Sequence, residues 1–369
     1  MIDWGASNRV DSFEFVLCDP FTLEELAEPI KVNASESSLS WDKDSGNLYS
    51  GTIAALTPVT KDRLIKVRHT VEADGEMRTD TLATMFVEAA PVKALYGCEV
   101  RSASCYSTLF RLTQDKLDSD FSRPRYDPDN PDDPRAVVVN AIRDLVEEVG
   151  GRLVVADPEA AFTKRTFGKP INFWLGDNRM EVVRTIAKWI DCEIGCDPDG
   201  NVTISEVIDP ADKPSVYTFE AGRNCTYLPG ADVDDNSAAL VNKVVGYFSR
   251  KKADDGFPLT DRAVVELGDE SEFSFARCGR YQTAVIKVDP CSHETLVRKV
   301  KAHLRDNSGE RRFYAIQHVS IPGLRVGDVV DYENDTDFAE PVKARCEIAQ
   351  MDMDSMTPGA LCTTKLRTI

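Results

Sequence analysis

Short runs of alternating apolar and polar residues, each closed by tight-turn residues, recur through both ends of this 369-residue chain. Successive side chains of a strand point to opposite faces, so such alternation buries one face of a sheet and leaves the other wet. Phe13, Phe15 and Leu17 alternate with Glu14 and Val16 in the first run, and Leu64, Lys66 and Arg68 with Ile65, Val67 and His69 in a later one. Between the latter and a strand expected over Thr81 to Ala90 lies Ala73-Asp74-Gly75-Glu76. Asp and Gly tolerate the positive φ of a primed turn, so this tetrapeptide predicts a hairpin. Tyr49 to Leu56 reads as another strand, preceded by the turn residues Asp44-Ser45-Gly46-Asn47. Five or more short strands joined this way predict a first β-barrel-like domain over residues 1–100.

Residues 101–133 read as a connecting segment. Its second part holds Pro124, Pro128 and Pro131, with Pro134 just beyond, among Asp120, Asp127, Asp129, Asp132 and Asp133. Proline blocks both helix and ladder, which marks a linker. Residues 134–210 predict a compact α/β domain. Its first helix is expected to start at Pro134 with Asp133 as N-cap, and its apolar stripe is Val138, Ala141, Ile142, Leu145 and Val149. Gly150-Gly151 ends it. Asn178 and Glu181 form a capping box for the second helix, which buries Val183, Ile186, Ala187 and Ile190. Arg152 to Ala156, Ile171 to Leu175, Glu193 to Gly195 and Asn201 to Ser205 read as its strands.

Residues 211–369 predict a second β-barrel-like domain with one helix over 292–306, its apolar side made by Leu296, Val297, Val300 and Leu304. Strands are expected at Val241 to Phe248, Arg262 to Leu267, Phe273 to Arg277, Thr283 to Val288, Phe313 to Ser320, Arg345 to Asp352 and Leu361 to Ile369. The fold class is therefore α+β, mostly β, with an α/β domain inserted between two β-barrel-like ones.

The formal net charge of −18 argues against a protein that grips nucleic acid, because phosphate binding draws on clustered Lys and Arg. Arg250-Lys251-Lys252 is short and followed at once by Asp254 and Asp255, as a solvated loop beside a strand end would be. No segment approaches the roughly 18 apolar residues of a membrane helix, and Met1 to Gly5 shows no basic leader, so neither membrane insertion nor secretion is expected. The ten cysteines are scattered, with Cys192 and Cys196 the closest pair, and read as free thiols of a reducing cytoplasm.

Catalytic, cofactor and metal sites are expected to be absent. The four histidines, His69, His293, His303 and His318, lie in separate segments without a nucleophile motif and read as structural or surface residues. The acidic runs Asp127 to Asp133 and Asp232 to Asp235 read as solvated loops; Asp232, Asp234 and Asp235, and Asp331, Glu333, Asp335 and Asp337, offer oxygen ligands of the kind calcium takes but lack the helix–loop–helix spacing of a calcium hand. Trp174 and Trp189 sit in apolar surroundings and are expected in the core, Trp41 is a further aromatic able to stack on a sugar, and Trp4 is placed to pack on a neighbouring subunit. Two other classes compete with a structural role: a β-rich carbohydrate-binding or adhesion module, marked by aromatics in one groove, and a cell-wall hydrolase, marked by a close carboxylate pair in a cleft.

Val241-Asn242-Lys243-Val244-Val245-Gly246 resembles the V-N-x-V-x-V-x-G strand of bacteriophage and prophage tail hub proteins, the late control protein D-like family. Pro322-Gly323-Leu324-Arg325-Val326-Gly327-Asp328-Val329-Val330 is similar to their P-x-L-R-x-G-D-x-V hairpin, and Leu361 to Leu366 fits their closing strand. The opening stretch, Val32 to Leu56, looks like their first barrel. The resemblance implies a non-enzymatic tail or baseplate hub in the virion, made in the bacterial host cytoplasm. It implies a homotrimeric ring whose paired barrels join the tail tube protein to a spike or fibre protein, and a lumen through which DNA passes without specific binding. An acidic lumen would suit such passage, since a wall that repels phosphate does not retain the strand.

Overall fold

The structure is a computed structural model, and it describes residues 8–26, 29–56, 59–60, 63–89, 91–95, 98–221, 225–235, 241–251, 258–288, 291–308, 312–335, 338 and 341–369. Its first part is built from β1 (Val10–Cys18), β2 (Ser38–Asp42), β3 (Tyr49–Ala55), β4 (Leu64–Ala73), β5 (Glu76–Ala89), β6 (Val92–Leu95) and β7 (Cys98–Ser107). The hairpin between β4 and β5 turns on Asp74 and Gly75, at φ +53° and +78°, the double positive φ that Asp-Gly supplies. β7 crosses residue 100, the expected end of the first β domain, and lies between β5 and β3. Its sequence alternates small side chains, Ala103 and Cys105 inward, instead of the large β-branched residues that announce a strand.

The chain then forms α1 (Phe110–Gln114), β8 (Phe121–Arg123), α2 (Val138–Glu147), β9 (Leu153–Val155), β10 (Ile171–Phe173), α3 (Arg179–Trp189), β11 (Cys192–Cys196) and β12 (Val202–Glu206). The Pro/Asp-rich segment is mostly loop, but Phe121 to Arg123 pairs with Ile171 to Phe173. Asp133 caps a single 3-10 turn over Pro134–Ala136, and the α-helix itself starts only at Val138. The N-cap half of the expected capping box is made, with Asn178 Oδ1 accepting from the Glu181 amide at 3.1 Å. α2 and α3 bury Ile142, Leu145, Val183 and Ile186 against Ile194 and Ile204 of β11 and β12, forming a separate core.

Beyond it lie β13 (Ser215–Phe219), β14 (Asp232–Asp235), β15 (Lys243–Lys251), β16 (Pro258–Glu266), α4 (Phe275–Cys278), β17 (Thr283–Lys287) and α5 (His293–Asn307). Lys243 to Asn307 does not join the main sheet. β16, β15 and β17 form a three-stranded sheet of their own, with α5 on one face and a third core of Val244, Phe248, Ala263, Leu296, Val300 and Leu304. Phe273 to Arg277, expected as strand, carries a short helix, because Ser274 starts a turn that Gly279 closes at φ +68°. Asn242 explains the motif strand. Its Nδ2 donates to the carbonyls of Phe273 and Arg280, at 3.1 and 2.9 Å, and its Oδ1 accepts from the Gln282 amide at 2.8 Å. Gly246 lies under α5, where an added Cβ would stand 2.2 Å from Val300 Cγ2.

β18 (Arg312–Val319), β19 (Val329–Asn334), β20 (Val342–Met353) and β21 (Leu361–Thr368) complete the chain. Among the described residues the main sheet has thirteen strands, with the path β1-β4-β5-β7-β3-β2-β20-β21-β18-β14 and with β6, β19 and β13 branching from it. It is antiparallel except where β13 runs parallel to β19. The fold is α+β and mostly β, as expected. β2 pairs with β20, so the first and last parts of the chain share one sheet and one core, from Phe15 and Ile53 to Tyr332 and Leu366.

Candidate interaction surfaces and the seam between the sheet halves

The seam is held by side chains from segments hundreds of residues apart. At β1, Asp11 accepts from Arg9 Nε at 3.0 Å and from His69 Nε2 of β4 at 2.7 Å. Arg9 also donates to the Ser320 carbonyl, just after β18. The His69 ring stacks on Phe13 with centroids 4.6 Å apart. Burial works to raise the Asp11 pKa, but the hydrogen bonds from His69 and Arg9 and the Arg9 charge outweigh it and bring the pKa down to about 2. A second tie is Glu347 of β20, buried between Lys43 and Arg367, with Arg367 Nη2 at 2.6 Å. Burial raises its pKa, and the Arg367 and Lys43 bonds reverse that into a net lowering.

The motif hairpin supplies the third tie. Arg325 Nη2 donates to the Thr81 carbonyl of β5 at 3.0 Å, and its amide donates to Asp328 Oδ2 at 2.8 Å. Gly327 turns at φ +86° and donates to the Ile348 carbonyl at 2.8 Å. The residues of the Leu-Arg-x-Gly-Asp pattern thus shape the turn and bolt one sheet half to the other.

Ser320 Oγ lies 3.4 Å from His69 Nδ1, so Ser320, His69 and Asp11 have the order of a nucleophile, base and orienting acid. The geometry serves another end. Asp11 is shared with Arg9, His69 is fully buried, and the small cavity beside Ser320 is lined by Trp41, Leu82, Ile321, Leu324 and Met351, without a carboxylate. This constellation joins strands.

His318 is buried as well. Its Nδ1–H donates to the Val319 carbonyl at 2.7 Å, which leaves Nε2 to accept from Thr364 Oγ1 at 2.7 Å. Burial holds its pKa down at about 4. His293 is exposed at the start of α5, 3.0 Å from Asp261, and His303 is half-buried on the same helix. Burial pushes the thiols of Cys105, Cys346 and Cys362 up to about 12, so they stay protonated at neutral pH.

The acidic runs are spent on local structure. Asp232 to Asp235 is strand β14 paired with β18, and Asp331 and Glu333 lie on β19, where Glu333 bonds Lys343 at 2.9 Å; Asp337 lies outside the described residues. Asp127 and Asp133 cap the amides of Asp129 and Arg135. No group of three metal-ligating side chains occurs among the described residues. Arg250 and Lys251 lie on β15, in register with Leu259 and Pro258 of β16, and Lys252 lies outside the described residues.

Two tryptophans correct the sequence reading. Trp41 is buried, but Trp174 is 61% exposed at a turn tip, and Trp189 is 41% exposed, stacked on Phe173 at 6.0 Å. Their apolar neighbours mimic core, yet the turn at Gly176, φ +90°, carries Trp174 outward. Trp4 lies outside the described residues. Among the described residues β13, β14, β16 and β17 each have a single partner strand, and each bears an exposed valine, Val216, Val233, Val264 and Val285. Such edges are templates for pairing with another chain.

No family model matches the chain, and no curated protein matches it. Solved structures do match. A 43 kDa tail protein of prophage MuSo2 from Shewanella oneidensis is similar over 96% of this chain and 98% of its own, with a TM-score of 0.60 at 15% identity. A tail protein from Neisseria meningitidis MC58 gives a TM-score of 0.64 at 12% identity, covering 96% of both chains. Prophage tail protein gp18 from Listeria monocytogenes EGD-e gives 0.58 at 11% identity, over 96% of this chain and 94% of its own. Both sheet halves, the α/β part and the small sheet with α5 thus lie within shared architecture, and the chain has the fold of phage and prophage tail proteins.

Proposed function

We propose that this chain is a non-enzymatic structural hub of a phage or prophage tail, located in the virion. In this reading three copies form a ring that joins the tail tube protein to the spike or fibre protein, with a lumen that conducts DNA. The observation that carries it is the extent of the fold likeness, which spans 96% of the chain for tail proteins from three bacteria. The single-partner edge strands supply surfaces for a closed ring, which satisfies strand edges without open-ended growth. The net charge of −18 suits a wall that does not retain phosphate.

The test is light scattering of the purified chain over a range of concentrations, alone and with the tail tube protein. The expected mass is three times 40.9 kDa. A chain that stays monomeric both alone and with the tube protein overturns the ring.

A further inference from the structure

We propose that the Trp174–Leu175 turn is a docking knob for a partner protein whose receiving cleft is apolar and rimmed by Lys and Arg side chains. Trp174 and Leu175 are 61% and 66% exposed, adjacent, and carried at the end of β10. Paired large apolar side chains of this exposure mark contact sites more than ordinary surface, and Trp is the side chain that most often dominates a binding interface.

The turn is held in shape before any partner arrives. The Trp174 amide donates to Asp177 Oδ2 at 2.8 Å, and the Leu175 amide donates to Asp120 Oδ1 at 2.9 Å. The Trp174 carbonyl accepts from the Asp177 amide at 3.0 Å, and the Gly176 amide donates to the Leu117 carbonyl at 2.9 Å. A knob fixed on both sides loses little freedom on binding.

Charge selects the occupant. Asp120 and Asp177 bond to the turn itself and Asp118 is exposed two residues from Asp120; exposed Lys116, bridged to Asn178 through the backbone, is a cation beside them, so the knob's collar is acidic by three carboxylates to one ammonium. Another copy of the same knob brings like charge to that collar, and an anionic bilayer does the same. A basic rim around an apolar cleft complements both parts.

The test uses the full chain and three probes: an amphipathic Leu/Lys helical peptide, its Leu/Glu counterpart, and vesicles containing phosphatidylglycerol. Binding is read by anisotropy of labelled peptide and by vesicle co-sedimentation. The Leu/Lys peptide is expected to bind, and W174S/L175S to weaken it about tenfold or more, as loss of a central anchor does. M77S, which removes an exposed apolar side chain elsewhere, should leave the affinity unchanged. Equal binding by W174S/L175S, preference for the Leu/Glu peptide, or capture by vesicles through the knob would each overturn the proposal. Circular dichroism of the variants checks that they fold, and none of these outcomes depends on the oligomeric state.

Discussion

Asp11 shows how one side chain can be decisive in a structural protein. It is 7% exposed, yet it carries a charge shared between Arg9 and His69. Removing one member of a buried ionic group strands the others, so Asp11→Asn is expected to cost about 3–5 kcal/mol of stability, measured by denaturant unfolding. The sign of the pH dependence follows from two buried groups. His318 has its folded pKa lowered to about 4, so the unfolded chain takes up a proton first as pH falls below the ordinary value of 6.5. Stability is then lost between those two values, by about 3 kcal/mol in all. Asp11 is lowered to about 2, so its contribution is full above the unfolded value near 3.8 and is lost as pH falls toward 2. A melting curve against pH should show both stages in the wild type and a smaller second stage in Asp11→Asn, where the lowered Glu347 still contributes. His69 and His318 read as structural or surface residues in the sequence, but the grouping of Asp11, His69 and Ser320 was not legible there, because they meet only through strand pairing and the β18 exit.

Elements were legible where local chemistry specifies them, and less so where neighbours do. The Asn178 N-cap, the Asp74-Gly75 turn and the stripe of α5 all act within a few residues, and they form as read. β7 was missed because Ala103, Cys105 and Ser107 lack β-branched bulk, and the close neighbours β3 and β5 make a strand of them. The Pro134 helix start was displaced because Asp133 satisfies a 3-10 turn that ends at an extended Val137. Gly246 makes the sharpest prediction at this scale. Its missing Cβ is where Val300 sits, so Gly246→Val should lift α5 from β15 and cost at least about 1–3 kcal/mol through overpacking. The measurement is a loss of protection in α5 and β15 by hydrogen exchange, with β20 and β21 retained.

At the scale of the molecule, the three cores differ in extent. The main sheet buries residues from both ends of the chain, whereas the β15–β17 and α5 unit rests on a short set of buried side chains. A unit with few buried contacts opens at a lower free energy than one with many. Amides of Val244 to Phe248 are therefore expected to exchange faster than those of Ile348 to Met351 in the wild type. Equal rates would mean that the small unit unfolds only with the whole chain.

By itself the sequence determined the mostly-β class, the α/β part with its two helices, most of the strand and turn positions, and the resemblance carried by Val241 to Gly246 and Pro322 to Val330. These follow from periodicity and turn chemistry, which act over neighbouring residues. Only the tertiary structure decided that β2 pairs with β20, that Lys243 to Asn307 stands apart as its own sheet, and that Trp174 faces solvent. Strand pairing and burial are settled between segments hundreds of residues apart, by which backbone edges meet and which side chains fill the shared core, and no local pattern encodes that choice.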